Sequence, residues 1–91
     1  MSTHFTLGSL VATPAALEAL QRAGQSPAEL IARHAAGDWG EVSKGDARLN
    51  DAAVRDGDRI LSAYKTKDGQ RIWIITEADR SSTCILLPEE Y

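Results

Sequence analysis

From residue 58 onward the chain takes on the rhythm of extended backbone. Ile60, Ser62 and Tyr64 fall on one side, and Leu61 and Ala63 on the other. Residues 71–77 read Arg-Ile-Trp-Ile-Ile-Thr-Glu, with Trp73 and Ile75 opposed to Ile72 and Ile74. Between these runs lies Lys67-Asp68-Gly69-Gln70, and an Asp-Gly pair between two such runs is a strong hairpin signal. After the polar link 78–82 a third run sets Ile85 and Leu87 against Cys84 and Leu86. It stops at Pro88, which has no N–H to give a ladder. This pattern predicts a three-stranded antiparallel meander. The strand 71–77 is central in it, because both of its faces are apolar. Glu89-Glu90-Tyr91 reads as a short acidic tail.

The first half follows a different period. Residues 5–11, Phe-Thr-Leu-Gly-Ser-Leu-Val, predict a first strand, with Gly8 as a weak point or bulge. Thr13-Pro14 is a helix start, the hydroxyl capping free N–H groups and the proline sitting where no N–H is needed. Ala16, Leu17, Leu20 and Ala23 form its apolar stripe, and Gly24 ends it. Ser26-Pro27 repeats the start signal, followed by Leu30, Ile31, His34 and Ala35 at helical spacing and a stop at Gly37. A third helix runs from about Lys44 to Asp56, with Ser43 as its cap and Leu49, Ala52 and Ala53 as a thin apolar face. The order β, α, α, α, β, β, β predicts a single α+β domain spanning residues 1–91. Its antiparallel sheet is built from the N-terminal strand and the meander and is packed by two or three short helices. The place of the first strand in the sheet is not readable.

Composition narrows the function classes. Of 91 residues 43% are hydrophobic and 25% charged, ordinary for a globular domain. The net charge is −3 with the ten basic residues scattered, whereas nucleic-acid binders carry a basic stripe, so a nucleic-acid partner is not expected. No apolar run approaches the length of a membrane span, and the start Met1-Ser-Thr-His-Phe lacks the basic and apolar parts of a signal peptide; a cytoplasmic protein is expected. The single cysteine, Cys84, reads as a small apolar strand residue. Two distant histidines and one cysteine show no metal spacing, so neither metal nor organic cofactor is expected. His34, on the apolar stripe of its helix, reads as a hydrogen-bonded core residue.

Two loops carry chemistry beyond what folding needs. Trp39 lies between Asp38 and Glu41 in a glycine-flanked loop. It either pins the loop to the core or, with one edge exposed, anchors a partner inside an acidic rim. Glu77 and Asp79 share a side of extended chain and so are spaced for acid-base work, while Arg80 is a candidate anion holder. The competing reading is a solvated turn with local backbone hydrogen bonds. We take Asp38, Trp39, Glu41, Glu77, Asp79 and Arg80 as candidate partner-binding residues, with no catalytic set. Acidic rims predict a protein partner with a basic surface.

The segment 71–91 (RIWIITEADRSSTCILLPEEY), the preceding Gly57-Asp-Arg-Ile-Leu-Ser-Ala-Tyr64 and the Gly37-Asp-Trp-Gly40 turn are similar to a family of small bacterial proteins described as plasmid-related. The resemblance covers most of the chain and implies a bacterial protein carried on mobile elements. A restriction-subunit role, sometimes attached to that family, lacks the glycine-rich strand-to-helix loop that methyltransferase chemistry needs. The element order is also similar to RelE-like mRNA-cleaving toxins, although this chain is acidic where those are basic. The expectation is therefore a non-enzymatic interaction module that inhibits or regulates a larger complex, with an RNA-cleaving toxin or a degenerate relative of one as the alternative.

Overall fold

The computed structural model describes residues 4–91. It contains β1 (Ser9–Ala12), α1 (Pro14–Arg22), α2 (Pro27–Ala35), α3 (Lys44–Asp56), β2 (Ile60–Lys65), β3 (Arg71–Thr76) and β4 (Ser82–Leu86), then a 3₁₀ turn at Pro88–Glu90. The helices start where the capping chemistry places them. Thr13 Oγ1 accepts from the N–H of Ala16 at 3.1 Å, Ser26 Oγ from Ala28 at 3.2 Å and Ser43 Oγ from Asp46 at 3.0 Å.

The class is α+β, one four-stranded sheet packed with three helices, in the order β1-β4-β3-β2. The meander is antiparallel as expected, with Ile74 opposite both Ser62 and Ile85. The first strand departs from the all-antiparallel expectation: β1 runs parallel to β4, Val11 beside Cys84, with the Thr13 N–H donating to Ile85 O at 3.0 Å. β1 is also shorter than the 5–11 run, and Gly8 is the reason. Its φ is +66°, which ends the extended chain, and its Cα approaches the backbone carbonyls of Arg80 and Ser81 too closely for any Cβ. Phe5, expected on this strand, turns inward instead and joins the core.

The helices cover the sheet face that carries Ile60, Ser62, Tyr64, Ile72, Ile74, Thr76, Thr83 and Ile85, all of them buried. One apolar cluster joins α1 and α2, through Ala16, Ala19, Leu20 and Leu30, to Tyr64, Ile72, Ile74 and Ile85. A second gathers Phe5, Trp39, Ala53 and Ile60. On the opposite face Trp73 is half-buried, its ring centroid 5.7 Å from that of Tyr91. The acidic tail is therefore a folded element, and Glu90 Oε1 fixes it by accepting from Leu87 N at 2.8 Å and Thr13 Oγ1 at 2.7 Å.

Two apolar stripes are rotated from their expected faces. Leu17 is 43% exposed, and Ala19 takes its place in the core. Leu49 is 68% exposed while its neighbour Asn50 is buried. In α3 a polar contact sets the rotation: Asn50 reaches the edge of β2.

Candidate interaction surface

The two loops singled out from the sequence are held mainly by the fold itself. Trp39 is 6% exposed; its indole N–H donates to Asp51 Oδ1 at 3.0 Å, and its ring stacks on Phe5. Of the two readings of this tryptophan, the structure has the loop anchor. Asp38 accepts from Arg33 Nε at 2.6 Å and from the Gly40 N–H, and the Arg33 hydrogen bond holds its carboxyl below the usual carboxylate range. The Asp38 carbonyl takes the Tyr64 hydroxyl at 2.6 Å, and burial pushes that phenol up to about 12. Glu41 is exposed, with Lys65 at 3.9 Å.

At the other loop Arg80 donates to the carbonyls of Ala53 (2.8 Å), Asp58 (2.7 Å), Glu77 (3.1 Å) and Ala78 (3.3 Å). It thereby ties the 77–82 turn to the C-terminal end of α3, where the Ala53 carbonyl also accepts from the N–H groups of Gly57 and Asp58. Asp79 caps the Ser81 N–H at 3.0 Å, and hydrogen bonds from Ser81 hold its carboxyl low. Glu77 is exposed. The two loops meet through Phe5, which lies against Trp39 on one side and under the Arg80 guanidinium, 5.6 Å from the ring centroid, on the other.

Beneath them runs a buried polar chain that the sequence reading did not assemble. His34 Nδ1 is 2.5 Å from Ser62 Oγ, and its Nε2 is 2.8 Å from Thr76 Oγ1. Thr76 Oγ1 is 2.7 Å from Thr83 Oγ1, which is 2.7 Å from Leu7 O. A carbonyl only accepts, so Thr83 donates to Leu7, Thr76 donates to Thr83, and His34 donates from Nε2 to Thr76. Burial lowers the His34 pKa to about 4, so the ring is neutral near pH 7 with its one proton on Nε2, and Ser62 donates to Nδ1. All four side chains are sealed from solvent. The chain fixes three strands, one helix and the approach to β1 in register.

The two edges of the sheet differ. β2 is closed. Asn50 Nδ2 donates to Leu61 O at 2.8 Å and Asn50 Oδ1 accepts from Leu61 N at 3.2 Å. Two residues on, the Ala63 N–H donates to Trp39 O at 3.1 Å, and Ala63 O accepts from Glu41 N at 2.6 Å. Gly40 makes this possible, because at φ +74° it lies too close to the Ala63 carbonyl and the Tyr64 ring for a side chain. The Trp39 loop is thus an edge cover, a common way of shielding an outer strand.

β1 has no such cover among the described residues. Ser9 and Thr13 direct their N–H groups to Ser81 and Ile85 of the β4 side. By alternation Leu10 and Ala12 present theirs outward. Leu10 is 57% and Val11 50% exposed, and Leu17 stands beside them. Of the five large exposed hydrophobic residues among the described residues, three cluster here. Next to the edge opens a groove of about 600 Å³ between β1 and the first two helices, lined by Leu7, Leu10, Val11, Leu17, Ile31 and Ile85 together with small α2 residues. Its lining carries no charged side chain.

Among the described residues no three His, Cys, Asp or Glu converge as a metal site, and no helix is long and apolar enough to cross a membrane. Comparison with protein-family models, with curated proteins and with solved structures finds no match to this chain.

Proposed function

We propose that this chain is a non-enzymatic protein-interaction module whose binding surface is the open edge of β1 and the apolar groove beside it. The observation that carries the reading is the contrast between the edges: β2 is closed by side-chain and backbone contacts, and β1 is left uncovered by the described residues, next to exposed leucines and valine. An apolar groove flanking an open strand suits strand addition, in which main-chain hydrogen bonds supply affinity and the groove takes side chains. The setting we assign to it is a bacterium, as the family resemblance implies, and within it the cytoplasm. Inhibition or regulation of a larger complex fits a small module with one such face.

The reading moves the binding surface away from the loop residues. Trp39 and Arg80 face inward contacts, and Asp38, Glu41 and Asp79 have partners within the chain. The test uses wild-type chain as bait in a bacterial lysate, beside Leu10→Lys/Leu17→Lys and Asp79→Ala/Arg80→Ala baits. The expected result is a protein captured by wild type, retained by the loop variant and lost with the groove variant. Capture unchanged by the groove variant, or cleavage of ribosome-bound mRNA by the purified chain, contradicts the reading.

A further inference from the structure

The groove and open edge are self-complementary, and resting on the interaction reading above, we propose that their occupant is a second copy of this chain, paired β1 to β1 across a twofold axis. The outward groups of β1 belong to Leu10 and Ala12, two residues apart. In an antiparallel pair, residues with outward groups face one another. Leu10 then lies opposite the partner copy's Ala12, and the reverse, with Val11 on the axis against its own counterpart. This register engages every outward group of both residues. A twofold interface requires such self-complementarity.

The layers agree with it. Leu10 and Ala12 lie beside Thr83 and Ile85 on the helix-covered face. A twofold axis normal to the sheet keeps the helices of both copies on one side of a continuous sheet. The two grooves then face each other across the seam, and Leu17 and Ile31 of each copy close over the exposed Leu10 of both. Charge does not oppose it: the lining carries none, so two chains of net charge −3 meet without burying a like-charged pair. Area sets a ceiling: the exposed parts of Leu10, Val11 and Leu17 supply roughly 250 Å² per copy, and only full coverage of the remaining groove residues brings the pair to roughly 1,000 Å², the size at which specific interfaces begin, so the pairing is weak and concentration-dependent.

Sedimentation velocity from low micromolar to near-millimolar concentration tests the proposal. The expected result is a concentration-dependent dimer. Leu10→Lys and Leu17→Lys shift it to monomer by tenfold or more in dissociation constant, while Leu49→Lys, an exposed leucine on α3, leaves it unchanged. Melting of each variant is measured alongside. Oxidative cross-linking is the second measurement: with Cys84→Ser in place, since Cys84 is the neighbour of Val11 on β4, Val11→Cys is expected to join two chains. A wild-type monomer throughout the range, a dimer indifferent to Leu10→Lys and Leu17→Lys, or no cross-link at Val11→Cys overturns it. A monomer that still captures another protein through the groove leaves the interaction reading standing and removes the second copy as occupant. Loss of groove-dependent capture together with a monomer removes both.

Discussion

Asn50 meets Leu61 at both of that residue's outward backbone groups, donating to its carbonyl at 2.8 Å and accepting from its N–H at 3.2 Å. One amide side chain thus stands in for a neighbouring strand. The contact accounts for a buried polar residue on a helix whose adjacent leucine faces solvent.

Asn50→Ala is expected to lower stability by about 1–3 kcal/mol, because it leaves two partly buried backbone groups without partners. Asn50→Asp keeps the acceptor and loses the donor, so it is expected to fall short of wild type as well. Urea unfolding of the three chains checks this. An Asn50→Ala chain as stable as wild type would show that water satisfies Leu61 equally well.

The middle of the sheet gives the largest expected loss. Ile74 is fully buried between β2 and β4, against the first two helices. Ile74→Ala is expected to cost about 2–5 kcal/mol in the same unfolding assay. A loss below about 1 kcal/mol would mean that the face is loosely packed.

The period-two pattern of the meander was legible because each strand has one sealed face, which forces alternation. The helix starts were legible because capping is local chemistry. The rotations of α1 and α3 were not. They depend on which side chain finds a distant partner, as Asn50 finds Leu61. The parallel direction of β1 was equally hidden, since a lone strand carries no local sign of its neighbour. Of the candidate site residues, Trp39 was legible as an anchor of its loop, though its partner Asp51, 12 residues on, was not; Arg80 was visible as unusual but not as an internal tie, because the Ala53 carbonyl that it reaches lies 27 residues away in the chain. His34 was read as a hydrogen-bonded core residue. A signal for its partners was present in Ser62, Thr76 and Thr83, small hydroxyls at inward positions of three apolar strands. The open β1 edge left a fainter sign in Leu10-Val11, two adjacent large apolar residues that a strand cannot bury on one face.

His34 sets an acid limit. Its folded pKa is about 4 against an ordinary 6.5, so between those values the unfolded chain binds the extra proton. Stability is therefore full above about pH 6.5 and falls as the pH drops toward 4, by about 3 kcal/mol in all, levelling off below that for this group. Equilibrium unfolding at stepped pH reads the slope. His34→Gln is expected to flatten it between pH 6.5 and 4, the window its pKa sets, and an unchanged slope would assign the acid sensitivity elsewhere. Nitrogen-15 shifts of the imidazole are expected to show a proton on Nε2 and none on Nδ1.

Arg80 couples a side-chain role to a backbone one. It sits at φ +61° while its guanidinium ties the 77–82 turn to the end of α3. Arg80→Ala loses the ties and keeps the strained φ, and it is expected to lower stability by about 1–3 kcal/mol. Arg80→Gly loses the same ties but relieves the backbone, so it is expected to be the more stable of the two variants. The reverse order in thermal melting would refute the strain argument.

The open edge of β1 is the centre of this account, and the exchange of two backbone hydrogens tests it most directly. The N–H groups of Leu10 and Ala12 point away from β4, whereas that of Val11 points toward it. Amide hydrogen exchange followed residue by residue at rising protein concentration should show Val11 protected throughout. Leu10 and Ala12 should exchange fast when dilute and become protected together as copies pair. Leu10 and Ala12 exchanging fast at every concentration would contradict pairing at this edge, and protection already complete at the lowest concentration would contradict an open edge in the single chain.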